Sequence, residues 1–211
     1  MRFDGIIFDI DGTLWDSCEA VCESWRSSLL RRRGCADAPG IAAVRSIMGM
    51  TPDEISARLF GRFGALAREV FDELSEDECA YLAAHGASVY PGAEETLRAL
   101  SKEYPLFIVS NCQRGYIEAF LASCGFGGCF SGRICAGETG LGKAENLAAL
   151  ISAHALKRAL FIGDTRGDEA AARSAGCAFI HAAWGFGDAE APDAAAGSFF
   201  ELPGEIRKLE G

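Results

Sequence analysis

A chain of 211 residues with 49% hydrophobic and 24% charged content has ordinary globular composition, long enough for one core or a core plus a small insert. Its net charge of −10 argues against non-specific nucleic-acid binding, which needs a basic face, and no window approaches the roughly 20 apolar residues of a membrane span. The nine cysteines form no C-x-x-C pair and no zinc spacing, and Met1-Arg2-Phe3-Asp4 runs into a strand pattern without a secretory leader. The expectation is a cytoplasmic protein with reduced thiols and no nucleic-acid or membrane partner. Its oligomeric state is left open.

In chain order, the apolar run Ile6-Ile7-Phe8 predicts a buried strand over Gly5–Asp11, ended by Gly12. Asp9 and Asp11, two apart in an extended strand, would share a face. Carboxylates placed so repel one another, and a divalent cation is the natural compensation. From Asp16 to about Gly86 only helices fit: Ser17–Arg33, Pro39–Met48, Pro52–Leu59 and Leu66–Ala84. Thr51-Pro52-Asp53-Glu54 is a good helix start, and Arg31-Arg32-Arg33 reads as a solvated helix end.

Tyr90-Pro91-Gly92 then opens an alternation. Helix Gly92–Ser101 leads to strand Leu106–Asn111, helix Tyr116–Cys124 to a weaker strand Gly132–Ala136. Helix Ala144–His154 leads to strand Ala159–Asp164, and helix Glu169–Ala175 to strand Ala178–Ala182. Gly125 and Gly176 stand where helix C-terminal glycines belong, and Asp188–Gly197 reads as loop. Alternation of this kind predicts an α/β fold: a doubly wound parallel-sheet (Rossmann-like) core, residues 1–15 and 87–211, with a helical insert, residues 16–86, after the first strand. The linkers near residues 13–17 and 86–91 are placed to act as a hinge.

Three strands end in polar residues: Asp9 and Asp11, then Ser110-Asn111, then Gly163-Asp164. In a parallel sheet these ends lie along one edge, where open α/β sheets bind ligands. Lys143 and Asp168, each at the start of a helix, face the same edge. Carboxylates, a hydroxyl, a lysine and helix N-termini together suit phosphoryl transfer. Gly137-Glu138-Thr139-Gly140-Leu141-Gly142-Lys143 also fits the G-x-x-x-x-G-K phosphate loop, but Ala144 stands where a metal-binding hydroxyl belongs.

Asp9-Ile10-Asp11-Gly12-Thr13-Leu14, Ser110-Asn111, Lys143 and Gly163-Asp164-x-x-x-Asp168 resemble, in order and spacing, the four motifs of the haloacid dehalogenase-like superfamily. The helical insert resembles that superfamily's C1 cap, and the nearest subgroup is the phosphoglycolate phosphatase type. The resemblance implies magnesium-dependent hydrolysis of a small phosphorylated metabolite. By it, Asp9 is the nucleophile that becomes an aspartyl-phosphate, and Asp11 is general acid, then base. Ser110 and Lys143 bind phosphate, with Asn111, Gly12 and Thr13 in the substrate set. Asp9, the main-chain carbonyl of Asp11, Asp164 and Asp168 form the Mg2+ set, with Asp168 as ligand or support.

Arg45, beside Met48-Gly49-Met50 at a turn of the insert, is placed to meet a second anionic group of the substrate, and Arg114 to approach from the core. His181 and Trp184 read as structural. Asp11 argues against a carbon–halogen hydrolase, which needs no acid for its leaving group. The lack of any lysine before Lys102 argues against a Schiff-base phosphonate hydrolase. A sugar-phosphate mutase of the same superfamily and a catalytically inactive phosphate-ligand binder are the alternatives.

Overall fold

The computed structural model describes residues 1–211. Strand β1 (Gly5–Phe8) is followed by the two-residue β2 (Trp15–Asp16). Helices α1 (Cys18–Arg33), α2 (Ile41–Arg45), α3 (Pro52–Phe60) and α4 (Ala67–His85) come next, then β3 (Ser88–Val89). The alternating part holds α5 (Ala93–Leu100), β4 (Leu106–Ser110), α6 (Tyr116–Ser123), β5 (Phe130–Cys135) and α7 (Ala136–Thr139). It continues through α8 (Lys143–Ala153), β6 (Ala159–Gly163), α9 (Arg166–Ala175), β7 (Ala178–Ala182), β8 (Ala194–Ala196) and α10 (Leu202–Glu210).

Six strands form one parallel sheet in the order β5-β4-β1-β6-β7-β8. Strands β1, β4 and β6 are buried throughout, as their unbroken apolar sequences require when helices cover both faces. Alternation sorts them: Ile6 and Phe8 join the larger apolar cluster on one face, while Ile7 packs with Phe107, Phe161, Leu147 and Ala172 under α8 and α9. From β1 the chain builds outward through β4 and β5, then returns to build through β6, β7 and β8. The strand order therefore reverses beside β1, the place where such sheets bind ligands.

Between β2 and β3 lie only helices, and α4 packs on α1, α3 and α6. The strands β2 and β3 pair antiparallel, Trp15 with Val89 and Asp16 with Ser88, so the two connections to the helical segment are tied to each other. No helix is long and apolar enough to cross a membrane, and all nine cysteines are unpaired.

Several expectations need correction. The helix expected over Pro39–Met48 shrinks to Ile41–Arg45, because Gly40 stays extended as its N-cap and the chain turns into Gly49 at φ +82°. Gly125 does not cap α6, which ends on extended Cys124, whereas Gly176 does cap α9 in the left-handed region. The expected loop Asp188–Gly197 contains β8. Its three alanines have little strand preference, and Asp193 registers them by exchanging hydrogen bonds with Phe179 (3.0 and 2.8 Å). Helix α10, marked by Pro203 near its start and a Leu202–Ile206–Leu209 stripe, is an element the pattern reading omits. Arg31, Arg32 and Arg33 are not a free helix end: they pair with Glu69, Glu73 and Asp77 of α4.

Candidate active site

The polar ends of β1, β4 and β6 meet at one edge of the sheet. Asp9 stays tied to it, its N–H donating to the Ile162 carbonyl at 3.0 Å. Gly12 then turns the chain at φ +82°, and a Cβ there would run into the Asp164 carboxylate and the Phe186 ring. Strand β1 ends at Phe8, so Asp9 and Asp11 both lie just beyond it, and Asp11 bridges to Trp15. Asp11 Oδ1 accepts from Trp15 Nε1 (3.0 Å), the Ser17 hydroxyl (2.6 Å) and the Tyr116 hydroxyl (2.6 Å), and Oδ2 is left without a hydrogen bond.

Asp9 groups with Asp164 and Asp168, each offering a carboxylate oxygen within 4.8 Å of the others. Lys143 opens α8, one residue before the expected helix start, and its Nζ reaches Asp9 Oδ1 at 2.9 Å and Asp168 Oδ1 at 2.5 Å. Asp168 is occupied on both oxygens: Oδ2 accepts from the Thr165 N–H (3.0 Å) and hydroxyl (2.7 Å), closing a capping box that starts α9. Asp164 Oδ2 accepts from the Phe186 N–H at 2.7 Å. Asp164 Oδ1 is thus buried without a hydrogen-bond donor, and Asp9 Oδ1 is buried with the ionic contact to Lys143 alone.

The electrostatics follow. Burial pushes the Asp9 carboxyl up to about 8 against the pull of Lys143, with Asp168 and Asp164 adding to the rise. Burial, then the charge of Asp168, pushes Asp164 up to about 7. Burial also raises Asp11, although its three donors oppose the shift. Burial alone would lower Lys143, but Asp168 and Asp9 together hold it well above the ordinary lysine value. Three buried acids with one lysine leave an excess of negative charge, with a carboxylate oxygen of each within 4.8 Å of the others. An all-oxygen donor set of this kind fits a hard divalent cation.

The other sequence candidates are placed as follows. Ser110 ends β4, buried, its Oγ accepting from the Cys112 N–H (3.3 Å) with the hydroxyl proton free to donate. Asn111 Nδ2 donates to the Gly49 carbonyl at 2.8 Å, a tie to the helical segment, and its Oδ1 has no donor. Thr13 is fully buried, with its carbonyl accepting from Trp184 Nε1 (3.0 Å). His181 Nε2 lies 3.1 Å from the Asp164 carbonyl, so His181 and Trp184 brace the loops as expected. Arg45 stands outside, pairing with Asp16 Oδ2 at 3.1 Å and lying 5.5 Å over the Phe186 ring. Arg114 lines a separate surface groove beside Arg68. The stretch Gly137–Lys143 is no phosphate loop: it coils into α7, and Thr139 donates its hydroxyl to Asn146 (2.8 Å) while Lys143 turns to the acids.

Above the acids lies a cavity of about 40 Å³. Asp9, Asp11, Ser110 and Tyr116 form its floor, and Trp25, Met48, Met50 and Phe71 of the helical segment its roof. Glu78 of α4 also lines it, and the sequence reading missed this residue. Glu78 is 3% exposed, its two oxygens accepting from Trp25 Nε1 and from Gln113 Nε2 (2.8 Å). Burial pushes its carboxyl up to about 8. A signal was present: Phe71, Leu74, Glu78 and Leu82 keep one helical register, so Glu78 is an acid written into an apolar stripe.

A family model of haloacid dehalogenase-like hydrolases matches residues 3–176. The chain belongs to the haloacid dehalogenase-like hydrolases. A phosphoglycolate phosphatase of Yersinia pseudotuberculosis is 28% identical across 94% of this chain and 90% of its own length. One from Pseudomonas putida is 30% identical across 89% of this chain and 74% of its own. Among solved structures, a predicted phosphoglycolate phosphatase from Haemophilus somnus 129pt superposes with a TM-score of 0.80 at 25% identity, over 100% of this chain and 99% of that one. The haloacid dehalogenase-like fold, a parallel sheet between helices, is the architecture described above, and the expected enzyme class is the family's own.

Proposed function

We propose that this haloacid dehalogenase-like phosphatase hydrolyses a small phosphate monoester through a covalent phosphoryl group on Asp9. The observation that carries the reading is the buried constellation of Asp9, Lys143, Asp164 and Asp168, of which Asp9 opens onto the cavity beside Ser110 and Asp11. The relatives named phosphoglycolate phosphatases support a small phosphorylated substrate.

In this reading the Asp9 carboxylate attacks phosphorus and the bond from phosphorus to the leaving oxygen breaks. Asp11 supplies the proton that the leaving oxygen needs. Three hydrogen bonds fix its Oδ1, so Oδ2 is free to carry that proton, and burial favours the protonated form at the start. A water then attacks phosphorus, Asp11 takes its proton, and the Asp9–phosphorus bond breaks to release phosphate and restore both carboxyls. Ser110 and Lys143 donate to the phosphoryl oxygens, and Asp168 acts by holding Lys143 in place. Asp9 and Asp164, with the Asp11 carbonyl, would hold Mg2+, which when bound neutralises the charge of phosphate and carboxylates.

Residues 16–86 act as a cap in this reading. A cavity of about 40 Å³ holds on the order of three water molecules, too little for a phosphate ester, so the cap must lift to admit one. The β2–β3 pair is the place for that hinge. No lysine, arginine or histidine reaches the cavity from the cap, which favours water over a second substrate group as the phosphoryl acceptor. The test is turnover of p-nitrophenyl phosphate: EDTA should silence it, Mg2+ restore it, and Asp9→Asn abolish it. Full activity in verified metal-free protein, or in Asp9→Asn, would overturn the reading.

A further inference from the structure

The cavity roof is unsuited to a carboxylate. The cavity holds three carboxyls and no basic side chain: Asp9 and Asp11 on the floor and Glu78 above. Its neutral polar groups are the Ser110 and Tyr116 hydroxyls and the Asn111 and Gln113 amides. The nearest buried cation, Lys143, is already engaged by Asp9 and Asp168. Arg45, the residue placed by sequence to meet a second anion, lies outside and is paired with Asp16.

Glu78 is an unusual investment of the cap. It sits among apolar residues on the buried face of α4, and it has no cation partner. Trp25 and Gln113 each donate to one of its oxygens, which fixes the carboxyl in one orientation. Each oxygen keeps a further lone pair for a donor arriving in the cavity. The rest of the roof, Met48, Met50 and Phe71, offers only apolar contact. A carboxylate brought here would find no cation to offset its charge, whereas an ammonium or hydroxyl would complete the hydrogen bonding of Glu78.

We infer that Glu78 is a specificity-determining residue that selects phosphate monoesters whose short leaving group carries a hydrogen-bond donor, hydroxyl or ammonium, and rejects those that carry a carboxylate. This rests on the phosphatase reading above and departs from the substrate named for the relatives.

The test uses four esters of matched length: O-phosphoethanolamine, 2-hydroxyethyl phosphate, propyl phosphate and phosphoglycolate, with p-nitrophenyl phosphate as reference. In the wild-type enzyme kcat/KM should be highest for one of the two donor esters and lowest for phosphoglycolate, and which donor leads separates ammonium from hydroxyl. Glu78→Gln should shrink the preference for the best donor ester over phosphoglycolate by about tenfold, mainly through KM. The inference is overturned if phosphoglycolate or propyl phosphate leads, or if none of the four is turned over while p-nitrophenyl phosphate is. It is equally overturned if Glu78→Gln is folded and keeps the wild-type ratio. Should that variant fail to fold, the wild-type order still decides. Loss of p-nitrophenyl phosphate turnover as well would instead bring down the phosphatase reading, and this inference with it.

Discussion

Asp11 and Asp9 are two residues apart, yet their surroundings give them different chemistry. Asp9 sits among acids with an ionic contact to Lys143, while Asp11 is held by three donors on one oxygen and free on the other. If Asp11 moves the leaving-group proton, Asp11→Asn should cost about 10²–10⁴-fold in kcat with an alkyl phosphate. The loss should be much smaller with p-nitrophenyl phosphate, whose leaving group departs without a proton. Equal losses with both would mean that Asp11 only shapes the site. Gly12 admits a second check. Gly12→Ala forces a side chain into the left-handed region and against the Asp164 carboxylate. It should lower stability by about 1–2 kcal/mol in thermal unfolding and remove most activity. The motif residues could be read from sequence because each ends a strand or starts a helix, and those positions converge in any parallel sheet. What Asp11's carboxylate touches could not be read, because Tyr116 is 105 residues away and joins it only in the fold.

The pairing of α1 with α4 shows how a helix end that looks solvated becomes a clamp. Arg31, Arg32 and the Ser28 hydroxyl converge on Asp77, and the Arg32 guanidinium holds the Asp77 carboxyl down to about 2. A depressed carboxylate contributes its stability above the unfolded value near 3.8 and loses it as pH falls through the folded value of about 2. With partners this open to solvent the contribution is about 1 kcal/mol. Asp77→Asn should therefore lower Tm at pH 7, and the gap to wild type should close as pH falls from about 4 towards 2. A gap that does not change with pH would assign the effect to packing. Most helices and strands were evident from apolar periodicity. The exceptions have a common cause: β2, β3 and β8 are two or three residues long, too short to show a period, and form only because a partner strand is present.

Charge acts on the protein as a unit. The negative cluster of Asp9, Asp164 and Asp168 burdens the fold unless a cation is bound, so Mg2+ should raise Tm, an effect read without any turnover. Asp164→Ala should weaken that shift and raise the Mg2+ concentration needed for half-maximal activity. An undiminished shift would place the cation elsewhere. The division into a sheet core and a helical segment could be read from the break in alternation. The roof of the cavity could not, since Trp25 of α1, Met48 of the turn after α2 and Glu78 of α4 are distant in sequence and meet only when the helices pack.

The central claim is a phosphoryl group carried on Asp9. Acid quenching of the enzyme during turnover, followed by mass analysis of its peptides, addresses it directly. The peptide holding Asp9 should carry one added phosphoryl group, localised to that side chain and absent in Asp9→Asn. A phosphoryl group on another residue, or an Asp9→Asn protein that turns over at the wild-type rate, would contradict it.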